Sequence, residues 1–259
     1  MNGGARTASV RRRLAPVAAA ILLVSLWEVF TRSGIVDSLL VSGPYDVARA
    51  FADEASLLAR HTAVTTREAV LGLLCAIAIG ASAGLALHVS PLLRDATLPI
   101  LIGTQAVPLV VLAPLLVIAF GYGIAAKLVI VAIACFFPVA VGAFDGLRSS
   151  DPDLIKLLRS LGASRWRVLW LAEVPGALPR LLGGVRIAAT WAFISAVFSE
   201  YAGSTEGLGY LIARGTPMFE TERVYAAILI LSAASLALWA LVSLAERRLI
   251  PWARHGGAR

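Results

Sequence analysis

Apolar runs of about twenty residues recur along this chain, separated by short charged segments, and they leave few folds open. A hydrocarbon core roughly 30 Å thick is crossed by about 20 apolar residues of helix. Six stretches qualify: 14–31, 67–89, 97–119, 125–143, 183–200 and 224–245. The chain is 59% hydrophobic and 15% charged, with mean hydropathy +0.82, whereas soluble domains carry about a quarter charged residues. A closed β-barrel, the other spanning architecture, requires alternating patterns that these runs lack. The reading is an all-α membrane protein with six transmembrane helices.

The first run, RRRLAPVAAAILLVSLWEVF, has the basic start of a secretory signal. No small-x-small cleavage site follows it in EVFTRSGIVDSLL, so it reads as a retained helix. With the N-terminus inside, six spans place the C-terminus inside as well. Sixteen of the 23 Lys and Arg residues then fall on the cytoplasmic side, in keeping with the positive-inside bias. The layout is a basic cytoplasmic tail over 1–13, a membrane domain over 14–245 with a cytoplasmic insert over 146–181, and a second basic tail over 246–259.

Several chemistries find no support. Cys75 and Cys135 lie inside apolar runs and read as small fillers. His61, His88 and His255 are scattered, so no metal site is expected. No GxxxxGK[ST] phosphate loop occurs, so ATP is not expected to bind this chain, and no cofactor is expected.

Between the first two spans, SGPYDVARAFADEASLLARH reads as a short amphipathic helix opening at Pro44, with Val47, Phe51, Ala55 and Leu58 on one face. The second span carries Gly80 and Gly84 at a small-xxx-small spacing, which suits close helix packing, within the subunit or against a second copy. In the third span, Pro99, Pro108 and Pro114 each remove a backbone donor. Such a helix either kinks for structural reasons or lines a water-filled cavity; Thr104 and Gln105 beside Pro108 make it the first candidate for a translocation path. GYG at 121–123 reads as a tight turn. Glu28, Lys127, Arg186 and Glu200 sit near span ends, leaving mid-depth almost free of ionisable groups. An ion-coupled carrier normally shows an intramembrane acid.

The insert DPDLIKLLRSLGASRWRVLWLAEVPGALP is charged yet patterned. Asp151, Pro152 and Asp153 form a helix start. Leu154, Leu157, Leu158 and Leu161 follow as an apolar stripe, with Lys156 and Arg159 off it. Gly162 is suited to end the helix in a left-handed conformation. Ser164 starts a second helix, in which Trp166, Leu169 and Trp170 share a face and which Pro175 and Pro179 limit. A helix of about ten residues is marginal alone in water. The stripe must pack either on its own bundle or on a partner.

This pattern resembles the EAA loop of binding-protein-dependent ABC importer permeases, written E-A-A-x-x-x-G, nine residues, then I-x-L-P. Lys156-Leu157-Leu158 stands at the EAA position, Gly162 at the glycine, and Ala172, Val174 and Pro175 at I-x-L-P. The phrases VRIAATWAFISAVFSEYAGSTEGLGYLI and VSLAERRLIPW resemble the nitrate/sulfonate/taurine branch, and the resemblance runs from about residue 14 to the end. Two departures stand out: Lys156 reverses the charge of the usual Glu, and Ala172 and Val174 soften I-x-L.

The resemblance implies a MetI-like permease fold with both termini cytoplasmic. The subunit is expected to pair with a second copy, with two ATPase subunits on the cytoplasmic face and with an extracytoplasmic solute-binding protein, in the bacterial inner membrane. It makes the chain a non-catalytic subunit. Asp153, Leu154, Lys156, Leu157, Leu158, Arg159, Leu161, Gly162, Ala163 and Ser164 would engage the ATPase. Thr104, Gln105, Pro108, Ser195, Ser199 and Glu200 would lie near the path, and Gly203, Gly207 and Gly209 would shape an outer gate. An ion-coupled secondary carrier is the alternative from another class, and a non-transporting scaffold a third. Taurine, alkanesulfonates, nitrate, bicarbonate and thiamine-pyrimidine or riboflavin precursors all belong to the branch; TPMFETERVYAAI leans towards the precursors.

Overall fold

The computed structural model describes residues 18–251 apart from 20, 35, 36, 38 and 39. The tails 1–13 and 252–259 and the beginning of the first expected span lie outside the described residues. Helices dominate: α1 (21–32), α2 (Pro44–Asp53), α3 (Ala55–Val89), α4 (Pro91–Thr104), α5 (Leu109–Phe120), α6 (Ile124–Arg148), α7 (Pro152–Ser160), α8 (Arg165–Val168), α9 (Val174–Gly203), α10 (Leu208–Gly215) and α11 (Thr221–Leu249). A π-helical turn over Leu169–Glu173 joins α8 to α9 without a break.

Among the described residues, four helices are long and apolar enough to cross a membrane: α3, α6, the continuous Arg165–Gly203 helix and α11. The expected third span, 97–119, is instead two helices, α4 and α5, whose axes meet at 101°. Of its three prolines only Pro108 lies at the break, as the N-cap of α5. Helix continues through Pro99 and Pro114. The second span also starts earlier than its apolar run, because α3 begins at Ala55, directly after the Glu54 cap of α2.

The chain forms two contact units: residues 60–210 with 230–259, and residues up to 59 with 211–229. In the larger unit the core is built from small side chains: Ala69, Leu73 and Ala76 of α3 meet Val131, Cys135 and Val139 of α6 and Ala188, Ala192 and Ala196 of α9. Lipid tails are as apolar as leucine, so helices associate by close packing of small residues. Gly84 shows the consequence: a Cβ there would lie 2.7 Å from the Ala140 carbonyl oxygen. The Gly80–Gly84 spacing thus serves contact between α3 and α6 within one subunit. Cys135 is buried and its Sγ donates to the Ala188 carbonyl at 3.2 Å.

In the smaller unit, Arg223 grips Glu54 with Nε and Nη2 at 2.5 and 2.6 Å and also holds Glu220. The guanidinium keeps the Glu54 carboxyl below its ordinary range. Ser42 and Thr221 hydroxyls meet at 2.6 Å, and Trp27 packs on Tyr225 with ring centroids 5.8 Å apart. The α2 face expected from spacing is only partly buried: Val47 and Leu58 are covered, whereas Phe51 and Ala55 are exposed.

Candidate functional site

Three features of the larger unit carry the chemistry: the α7 insert, a groove beside the α4–α5 break, and the loop between α9 and α10.

The insert starts and stops as its sequence dictates. The Asp151 side chain accepts the Asp153 amide at 2.9 Å, and Pro152 occupies the first turn. At the other end Gly162 has φ +80°. Its amide donates to the Arg159 carbonyl and the Ala163 amide to the Leu158 carbonyl, both at 3.0 Å. This pair of bonds satisfies the last carbonyls of α7 and turns the chain sharply. Ser164 then accepts the Arg167 amide and opens α8. The apolar stripe is left uncovered: Leu154, Leu157 and Leu161 are 42%, 55% and 75% exposed, and only Leu158 is partly shielded. Lys156 and Arg159 are exposed, Lys156 reaching Asp153 at 3.0 Å.

Two expectations for the second half of the insert are corrected. It is no separate helix stopped by Pro175 and Pro179; it is the first part of the long helix, with Pro175 in the first turn of α9. Nor do Trp166, Leu169 and Trp170 share an environment. Leu169 is buried, while both tryptophans are about 60% exposed.

The groove has a cavity of about 810 Å³. Thr104, Gln105 and Pro108 at the break form one wall; Phe137 and Pro138 of α6 and Gly184, Trp191 and Phe198 of α9 form the others. Close approach of α6 and α9 shapes its floor, since a Cβ on Gly142 would lie 2.8 Å from the Arg180 carbonyl oxygen. Arg180 donates to the Asp145 carbonyl at 2.9 Å at the end nearer the insert. The expected path residues therefore fall into two groups. Thr104, Gln105 and Pro108 line the groove. Ser195, Ser199 and Glu200 do not; they are at most 1% exposed, and both serines bond back to their own helix, to Trp191, Ala192 and Ala196 carbonyls.

At the end of α9 opposite the insert lies a buried polar cluster. Glu200 Oε1 accepts from the Thr65 hydroxyl at 2.7 Å, and its Oε2 accepts the Gly209 amide at 2.6 Å. Thr65 in turn accepts the Leu208 amide, and His61 Nδ1 accepts the Gly207 amide, each at 2.8 Å. Lys127 donates to Glu68 Oε1 at 2.6 Å and to the Ser204 hydroxyl at 2.8 Å. Glu68 Oε2 is buried without a partner. Of the three expected gate glycines, Gly207 has φ +113° and, with Gly209, presses against Glu200; Gly203 faces the Tyr122 ring.

Sequence reading gave no site role to His61, Thr65 and Glu68: His61 and Thr65 precede the second span as drawn, and Glu68 is its second residue. The signal was present: their spacing of four and three puts them on one face of α3. Among the described residues no cluster suited to a metal ion occurs.

Comparison with known proteins identifies the family and the fold. The model of the family described as binding-protein-dependent transport system inner membrane component matches residues 76–254. A probable ABC transporter permease protein of Haemophilus influenzae is 36% identical over 228 residues, covering 88% of this chain and 93% of the relative. The formylaminopyrimidine transport permease protein ThiX of Halalkalibacterium halodurans is 32% identical, covering 92% and 96%. The inward-facing MetNI methionine ABC transporter structure superposes with TM-score 0.65 at 19% identity, over 77% of this chain and 97% of that chain, a likeness of fold. The apolar helices and this whole-length match lead to one assignment: the chain belongs to the family of binding-protein-dependent transport system inner membrane components, as the permease subunit of an ATP-driven ABC importer.

Proposed function

We propose that this permease works as a pair of identical subunits, each presenting α7 to a separate ATPase chain on the cytoplasmic face and receiving solute from a binding protein on the other. The observation that carries this reading is the open apolar stripe of α7. A nine-residue helix outside the apolar spans gains little from its own backbone, and exposed leucines on it are explained by a partner surface. Residues 153–164 form that docking element, gripped mainly through its apolar stripe, with Lys156 exposed beside it. The basic tails and the insert lie on one side of a membrane domain over 14–245, and ATP hydrolysis belongs to the partner chain.

Solute passes along the groove beside Thr104, Gln105 and Pro108, where the break between α4 and α5 lines the cavity. The loop at Gly203–Gly209, at the other end of α9 from the insert, is the outer gate. Closure of the ATPase pair biases a two-state equilibrium that opens the groove to one side or the other. The relative named for formylaminopyrimidine supports a thiamine-pyrimidine-type cargo, with selectivity supplied by the binding protein.

The test is a cross-link. Leu157→Cys carrying a photo-activatable maleimide captures the ATPase chain in membranes, whereas the same probe at Tyr122→Cys, beyond the opposite end, does not. Equal capture at both sites, or none at residue 157 in a transporter that imports solute, overturns the docking assignment.

A further inference from the structure

The first amides of a helix have no partner inside the helix. In α10 these amides are taken by side chains from other helices: Gly207 by His61, Leu208 by Thr65 and Gly209 by Glu200. Three consecutive donors meet three acceptors that are each at most 2% exposed. The acceptors come from α3 and α9, 135 residues apart for Thr65 and Glu200. The glycines make the approach possible, since a Cβ on Gly209 would lie 2.9 Å from Glu200 Oε2. His61 accepts through Nδ1, which places its ring proton on Nε2, and its ring stacks on Tyr210 at 5.9 Å between centroids. The start of the loop is held separately, by Lys127 bridging Glu68 and Ser204.

A merely structural cap would be satisfied locally, by a Ser, Thr or Asp just before the helix. Here the bonds instead tie a short loop to two long helices, so rotating α3 against α9 breaks them together. Glycine at 207 and 209 leaves no side chain to wedge the loop open or shut.

We propose that His61, Thr65 and Glu200 are a latch that holds the loop 204–209 closed, with the Lys127–Glu68 pair clamping its first residue; all five are positioning residues for gating. The proposal rests on the reading of this loop as the outer gate. Losing the latch opens the gate without ATP and frees ATP hydrolysis from its dependence on solute delivery.

The experiment uses the assembled transporter in vesicles, with Cys75→Ala and Cys135→Ala removing the native thiols and Leu208→Cys as reporter. Leu208 is fully buried, so a membrane-impermeant maleimide labels the reporter slowly at rest and faster during ATP turnover. Thr65→Val removes the hydroxyl that serves both Leu208 and Glu200, and resting labelling rises roughly tenfold, as two lost hydrogen bonds dictate. Labelling then no longer responds to ATP, and Thr65→Ser restores protection. His61→Ala gives the same direction should Thr65→Val fail to assemble. Unchanged protection in both variants overturns the latch. A reporter that Thr65→Val exposes, but whose labelling with the latch intact does not respond to ATP in a transporter that imports solute, overturns the gate reading, and the gating role of the latch with it.

Discussion

The Gly209 amide donates to Glu200 Oε2 at 2.6 Å, and no side chain other than hydrogen fits where those two residues meet. The end of α9 and the start of α10 thus form one joint, closed on a buried carboxylate. The constraint is sharper at the neighbouring glycine.

Gly207→Ala combines a positive φ with a Cβ driven into the Glu200 carboxylate. The strain and overlap together should cost about 2–4 kcal/mol. The purified subunit is expected to melt several degrees lower, and uptake to fall before expression does. Wild-type melting in Gly207→Ala would remove the joint from the account of the loop.

Gly162→Pro addresses the insert. Proline fixes φ near −65° and removes the amide that Gly162 donates to Arg159. Nothing packs around this position, so insertion and thermal stability should hold while ATP hydrolysis loses its link to uptake. Gly162→Asn, able to adopt the left-handed conformation, should keep most of the coupling. Normal coupled uptake in the proline variant would show that α7 does not transmit the stroke.

Lys156→Glu tests the reversed charge. Lys156 and Asp153 form an exposed pair, with side chains 77% and 86% accessible, and such pairs contribute about 0–1 kcal/mol. Stability should be unchanged. Co-purification of the ATPase should survive if the docking surface is mainly apolar. Complete loss of the ATPase would instead place a decisive acidic contact opposite Lys156.

Lys127→Met leaves the Glu68 carboxylate buried and unpaired. Breaking a buried pair in this way costs about 3–5 kcal/mol, so the single variant should be strongly destabilised. Adding Glu68→Gln removes the stranded charge and should recover much of the melting temperature. A double variant no better than the single one would mean that Lys127 matters through Ser204 rather than through Glu68.

Glu54, which lies between α2 and α3, gives the chain a pH-dependent tie to Arg223 in the first turn of α11. The guanidinium depresses the Glu54 pKa. A depressed folded-state pKa stabilises above the carboxyl's unfolded value and is lost as pH falls through the folded one. Glu54→Gln should lower the melting temperature at neutral pH, by an amount that shrinks once the medium passes below about pH 4. A difference that persists unchanged in acid would assign the loss to packing instead.

How much of this was legible beforehand depends on the range of the interaction concerned. Asp151, Pro152, Gly162 and Ser164 act on amides and carbonyls within about five residues, so the limits of α7 could be read directly. The break at Gln105–Pro108 was half legible: three prolines announced disturbance, but only packing selected which one interrupts the helix. The split of the path residues was not legible. Ser195 and Ser199 face the subunit's own core, and a serine's rotational position in a long apolar helix is set by its neighbours' volumes.

Sequence alone determined that the chain crosses a membrane as helices and where α7 begins and ends, because run length and helix capping are local properties. It also carried the family through the order of its motifs. Tertiary structure decided that His61, Thr65 and Glu200 converge on one turn, that Lys127 finds Glu68, and that the α7 leucines stay uncovered. Those outcomes require segments more than fifty residues apart to meet. A buried polar group reveals its purpose only when the donor that satisfies it arrives from another helix.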